Sequence, residues 1–218
     1  MSNFISNEDL YMGVTPGGSF YAVQSDADQF GREFLRRLLR ADETPAFNLE
    51  NTQALGGLSN ETETLEFVHL LQDAGFICGQ KEPQLAPTGS LEKMLPGLLQ
   101  SLSDNGRAVL AEGQGLYLGS SGFPHEAAEE LAALSASLTA IYRRHQDVLK
   151  GNLGYTQRAW GLIDAAGNSE IGFWPLYVGG DRFTLIVGGM PQLNQPAFTQ
   201  LVWALERRYG APGAMILN

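Results

Sequence analysis

The side chains through which this chain could do chemistry are few: three histidines, one cysteine, and carboxylates that fall largely in helix-like runs. His69, His125 and His145 stand 56 and 20 residues apart, without the His-x-x-x-His or paired Cys/His spacing that converges on a metal. They read as surface or capping histidines. Residues 119–122, Gly-Ser-Ser-Gly, approach a nucleophile elbow, but G-x-S-x-G requires glycine where Phe123 stands. Residues 113–119 miss a dinucleotide fingerprint because Leu118 takes the place of its third glycine, and no G-x-x-x-x-G-K-[ST] phosphate loop is present. Glu129 and Glu130 belong to the first turns of a helix, where the dipole favours acidic residues without any acid–base role. Cys78 follows the apolar pair Phe76-Ile77 and is expected to be a small buried side chain. These residues predict no catalytic group, no cofactor and no metal site. The chain is expected to bind another macromolecule rather than to be an enzyme.

Charge narrows the choice of partner. Residues 1–88 hold 13 Asp+Glu against 5 Lys+Arg, a balance of -8, and residues 89–218 hold 11 against 9, or -2. Phosphate backbones bind through clustered Lys and Arg, so nucleic acid is an unfavourable partner. A single cysteine forms no intramolecular disulfide and fits a reducing compartment. The opening residues, MSNFISNEDLYMG, lack a basic and apolar signal, and no apolar run nears the ~18 residues of a membrane span. A cytoplasmic protein with no membrane contact is expected.

The elements that must position any surface divide into two groups. In residues 10–24 two short strands are expected around a Pro16-Gly17-Gly18 turn. A helix follows from Asp26, with Phe30, Phe34, Leu35 and Leu38 on its apolar face and Arg32, Arg36 and Arg40 as a solvated basic stripe. A short helix over 49–55 ends at Gly56-Gly57, and Asn60 and Glu63 form a capping box for a helix closed by Gly75. A strand at 76–79 completes a small winged-helix-like α+β domain, residues 1–87. Residues 81–90 read as its linker.

Residues 88–218 carry a clearer rhythm: a helix over 90–102 that Pro96 should kink or divide, a hairpin at Glu112–Gly115, and a long helix over 124–147. Three strands in short-looped succession and a helix from Pro196 follow, which makes a five-stranded antiparallel sheet with helices packed on it. The long helix has two rows. Ala127, Leu131, Leu134, Leu138 and Ile141 should face the core, and the small row Ala128, Ala132, Ser135 and Thr139 should either admit a neighbouring helix or form a neutral flank. On that reading Leu134→Asp unfolds the domain, whereas Ala132→Arg leaves it folded and disturbs association. Trp160 and Trp174 fall on strands, where a core role competes with a binding role. With the small row, Trp160 is a candidate for a dimer or partner interface.

The run LPGLLQSLSDNGRAVLAEGQGLYLGSSG, the helix EELAALSASLTAIYRR and the strand FTLIVGG resemble the Roadblock/dynein light-chain family over residues 90–210. Pro96 and the aromatic segment GFWPLYV depart from the family's pattern. The resemblance implies a homodimer or heterodimer joined through sheets or long helices, acting as a platform for a Ras-like small GTPase and supplying no nucleophile of its own. The leading expectation is a dimeric, non-enzymatic GTPase regulator or scaffold. Its rival is a transcription-linked regulator in which the winged-helix-like region binds DNA, and the charge of residues 1–88 speaks against it.

Overall fold

Thr15 begins the first departure from the sequence reading. In the computed structural model, which describes residues 10–210, its hydroxyl oxygen accepts from the Gly18 amide at 3.0 Å and caps a helix, α1 (Pro16–Val23). Pro16 sits at the first helical position, where its missing N–H costs nothing. The expected hairpin is therefore absent: β1 (Tyr11–Val14) pairs antiparallel with β2 (Ile77–Gln80), four helices later in the chain. Gly18 serves packing rather than a turn. A Cβ there would collide with the Phe76 carbonyl, so α1 lies directly against the start of β2.

The chain divides into two units, the first running to Thr88 and resuming at Phe198, the second spanning Gly89–Ala197. In the first, α2 (Phe30–Arg40), α3 (Leu49–Gly56) and α4 (Glu61–Asp73) surround the β1–β2 pair. The caps follow the sequence: Gly57 ends α3 in the left-handed region at φ 64, and the Asn60 side chain accepts from the Glu63 amide at 3.2 Å. The expected linker is partly tied down. Thr44 N–H donates to the Gln84 carbonyl at 2.9 Å and Ala86 N–H to the Asp42 carbonyl at 2.8 Å, which lays residues 84–86 along residues 42–44.

The arginine stripe is the second correction. Arg32 and Arg36 are buried, at 4% and 7% exposure. Arg32 Nε donates to the Tyr21 carbonyl at 3.0 Å and Arg36 Nε to the Ala22 carbonyl at 2.9 Å. These carbonyls lie at the C-terminal end of α1, where a helix lacks partners for its last acceptors and its dipole attracts cations. Arg40 Nε donates to Glu206 Oε2 at 2.9 Å, and its Nη1 to Glu33 Oε1 at 3.1 Å. Helical spacing located the stripe without showing that carbonyls of residues 21–27 receive Arg32 and Arg36 and that carboxylates receive Arg40.

The second unit opens with α5 (Leu91–Gln100). It runs through Pro96 unbroken because Leu91, Leu95 and Leu99 are buried on one face while Pro96 lies on the exposed one. The sheet consists of β3 (Ala108–Glu112), β4 (Tyr117–Ser121), β5 (Trp160–Ile163), β6 (Ser169–Val178) and β7 (Asp181–Gly188), in the order β4-β3-β7-β6-β5. All its pairings are antiparallel, as the short loops predict. Between β4 and β5 lies α6 (His125–Gln146), continued by a π-helical segment, Asp147–Asn152. α5 packs on β4 at Gly119, where a Cβ would stand 2.8 Å from that of Leu95. The fold class is α+β, with a five-stranded antiparallel sheet and helices packed on it.

The last helix, α7 (Pro196–Tyr209), belongs from Phe198 onward to the first unit rather than to the sheet domain that precedes it in sequence. Phe198 packs near Phe20 with ring centroids 6.2 Å apart, and Trp203 Nε1 donates to the Ala41 carbonyl at 2.9 Å. The apolar face Phe198, Leu201, Val202 and Leu205 is buried as its spacing predicts. Periodicity identifies a face to be covered and does not name the layer that covers it.

Candidate partner surface

The two rows of α6 exchange the roles that their sizes suggested. Ala128 and Ala132 are buried beside Val109, Ala111, Phe173 and Ile186, and Ser135 is buried as well, so the small row is the one that meets the sheet. Thr139, one turn on, is half-buried and lines the cleft where helix and sheet diverge. Small side chains let the helix axis approach the strands closely, and that geometry lifts the larger row away from the core. Leu131 and Leu138 are half-buried at the margin of the core, whereas Leu134 and Ile141 are 45% and 43% exposed. The small-row candidates are thus occupied within their own unit.

Trp160 is placed differently. It is half-buried on β5, opposite Phe173 of β6, and lines the cleft together with Leu138. Among the described residues β5 pairs with β6 alone, which leaves its other edge without a strand partner along Trp160–Ile163, and Leu162 and Ile163 are exposed. The hairpin to β6 is held by Asp164, whose carboxylate accepts from the amides of Ala166 at 2.8 Å and Asn168 at 2.9 Å. The Asn168 side-chain amide and these backbone bonds hold the Asp164 carboxyl below its ordinary range. Val148, Leu153 and Tyr155, in the segment leading to β5, are exposed as well. An unpaired strand edge and a row of large apolar side chains on the covering helix are features that soluble chains ordinarily shield.

The cleft between α6 and the sheet has walls of mixed aromatic and polar side chains. Tyr142, Tyr177 and Arg158 converge there, with the Arg158 guanidinium 5.1 Å from the Tyr177 ring centroid and 6.0 Å from that of Tyr142. Arg182 enters from β7 and donates through Nη2 to the Gly113 carbonyl at 2.9 Å. Burial, and after it the nearby Arg143, push the Arg182 guanidinium below its ordinary pKa. The sequence reading passed over Arg182. Its signal is a charge on a β-strand at the same alternation as the buried Thr184 and Ile186.

All three histidines are exposed, and His125 shares a 2.6 Å hydrogen bond with Tyr117. Cys78 is half-buried, opposite Gly13 in the small sheet, rather than enclosed. Among the described residues, no three His, Cys, Asp or Glu side chains group as a metal site would require. No described helix is long and apolar enough to cross a membrane.

No family model matches the sequence, and no curated protein matches it. Two solved structures are similar to part of this chain. One is a Roadblock/LC7 domain from Streptomyces avermitilis, 20% identical, with 55% of this chain and 93% of that one covered and a TM-score of 0.36. The other is Myxococcus xanthus MglB, 14% identical, with 57% and 90% covered and a TM-score of 0.31.

Proposed function

We propose that this protein is a dimeric, non-enzymatic regulator or scaffold that binds a Ras-like small GTPase. The observation that carries the proposal is the exposed row Leu134 and Ile141 on α6, in the unit whose edge strand β5 is open. Association through that helix face and edge would cover both features at once, and the Roadblock resemblance of residues 90–210 supplies the class of partner. The first unit contributes a second protein contact. A DNA-binding role for it finds little support, because Arg32 and Arg36 are buried and Arg40 is paired with Glu206. The basic stripe is thereby withdrawn from the surface that would have to meet phosphates.

Discrimination between nucleotide states requires different contacts with the two forms of the partner, because equal affinity for both shifts neither. The test is calorimetric titration of the full chain against small GTPases that co-purify with it, each loaded with GDP and with a GTP analogue. Binding in one state at micromolar affinity or better supports the reading. Binding no tighter than about millimolar in either state, roughly 4 kcal/mol, overturns it.

A further inference from the structure

Thr184 is 3% exposed, and its hydroxyl oxygen is buried without a hydrogen-bond partner in the protein. Next to it on the same face of β7, Arg182 has Nε and Nη1 in the same condition, although its Nη2 is satisfied by Gly113. Buried polar atoms are nearly always paired, so three orphans on two neighbouring side chains call for a common acceptor. Both residues line the cleft under α6. Arg158 also lines the cleft, and on Arg182, after burial, the nearby Arg143 acts to lower the guanidinium pKa while Tyr177 acts to raise it. The inner wall is aromatic, formed by Tyr142, Tyr177 and Trp160.

We propose that this cleft is a binding site for the oxyanion group, carboxylate or phosphate, of a small ligand, with Arg182 and Thr184 as its donors and Arg158 at its mouth. An oxyanion offers several acceptor oxygens at once, which matches donors spread over two guanidinium nitrogens and a hydroxyl. Its negative charge also offsets the repulsion of Arg182 by Arg143. A neutral ligand would satisfy the hydrogen bonds and leave that repulsion in place. Every residue in the site lies in one unit and none belongs to the exposed row on α6, although Trp160 also lies on the β5 edge that the GTPase reading uses.

The experiment is titration of the full-length ¹⁵N-labelled protein with inorganic phosphate and, separately, with acetate, at ionic strength held constant with chloride. The readout is the Trp160 indole N–H signal, assigned with Trp160→Phe. A saturable shift below about 10 mM in either arm is expected, and the stronger arm distinguishes phosphate from carboxylate ligands. Thr184→Val preserves shape and removes the hydroxyl, and Arg182→Lys preserves charge and removes the donor arrangement. Each should weaken the binding by about tenfold or more, with an otherwise unchanged spectrum showing that the fold persists. The proposal is overturned if neither anion gives a saturable shift, or if both variants respond as the wild type does.

Discussion

At the scale of single residues, the decisive groups are charged and inside. Arg36 donates to the carbonyls of Ala22 and Ser25 and lies 3.8 Å from Glu206 Oε1. Replacing it with alanine strips two buried carbonyls of their donor and removes a counter-charge from a carboxylate whose side chain is fully buried. Arg36→Ala is expected to cost about 3 kcal/mol in urea unfolding, in the range for breaking a buried pair. Glu206 gives a pH signature. Burial pushes its carboxyl above the ordinary value, with Arg40 and then Arg36 pulling it back. Because the folded-state pKa exceeds the unfolded one, its contribution is complete below the unfolded value and is lost as pH rises through the folded value. The urea midpoint of the wild type should carry this declining component upward from about pH 4.5. Glu206→Gln should remove it, and an unchanged slope would refute the assignment. None of this was legible beforehand: the spacing of Arg32, Arg36 and Arg40 was plain, but the carbonyls that receive them come from another helix.

At the scale of elements, amphipathic spacing found nearly every helix and strand, and capping residues fixed several ends. The exceptions are instructive. Pro16-Gly17-Gly18 reads as a turn by composition, yet Thr15 caps a helix there and Gly18 is required by the closeness of Phe76. On α6, periodicity gave both rows and size then misassigned them, because a helix packed tightly on a sheet places its smallest residues at the contact. The expected mutant effects therefore reverse. Ala132→Leu, overpacking a site with no exposure, should destabilise the second unit by about 1–3 kcal/mol, read as an early unfolding transition. Leu134→Asp should change the stability of the single chain, measured at dilution below dimer formation, by no more than about 0.5 kcal/mol, since Leu134 is already 45% exposed there. Substantial unfolding by Leu134→Asp would return that row to the core.

At the scale of the whole molecule, the five-stranded antiparallel sheet and the order of its strands in the chain follow from short, glycine-containing loops between β-rich runs. Membership of units was harder to read. α7 follows the last strand directly, and nothing in its pattern announced that Phe198 and Trp203 pack with Phe20 and Ala41. The surface assigned to a partner was likewise half-legible: Trp160 was singled out, whereas the open β5 edge and the exposed Leu134 and Ile141 emerge only when the sheet order and the helix face are known. That surface is the centre of the account, and the mass of the protein in solution tests it most directly. Light scattering of the full chain at micromolar concentration should give about 47 kDa, twice the 23.6 kDa of one chain, and Leu134→Asp combined with Ile141→Asp should return it to the single-chain mass while the protein stays folded. A wild type at 23.6 kDa, or a double variant that remains dimeric, would contradict it.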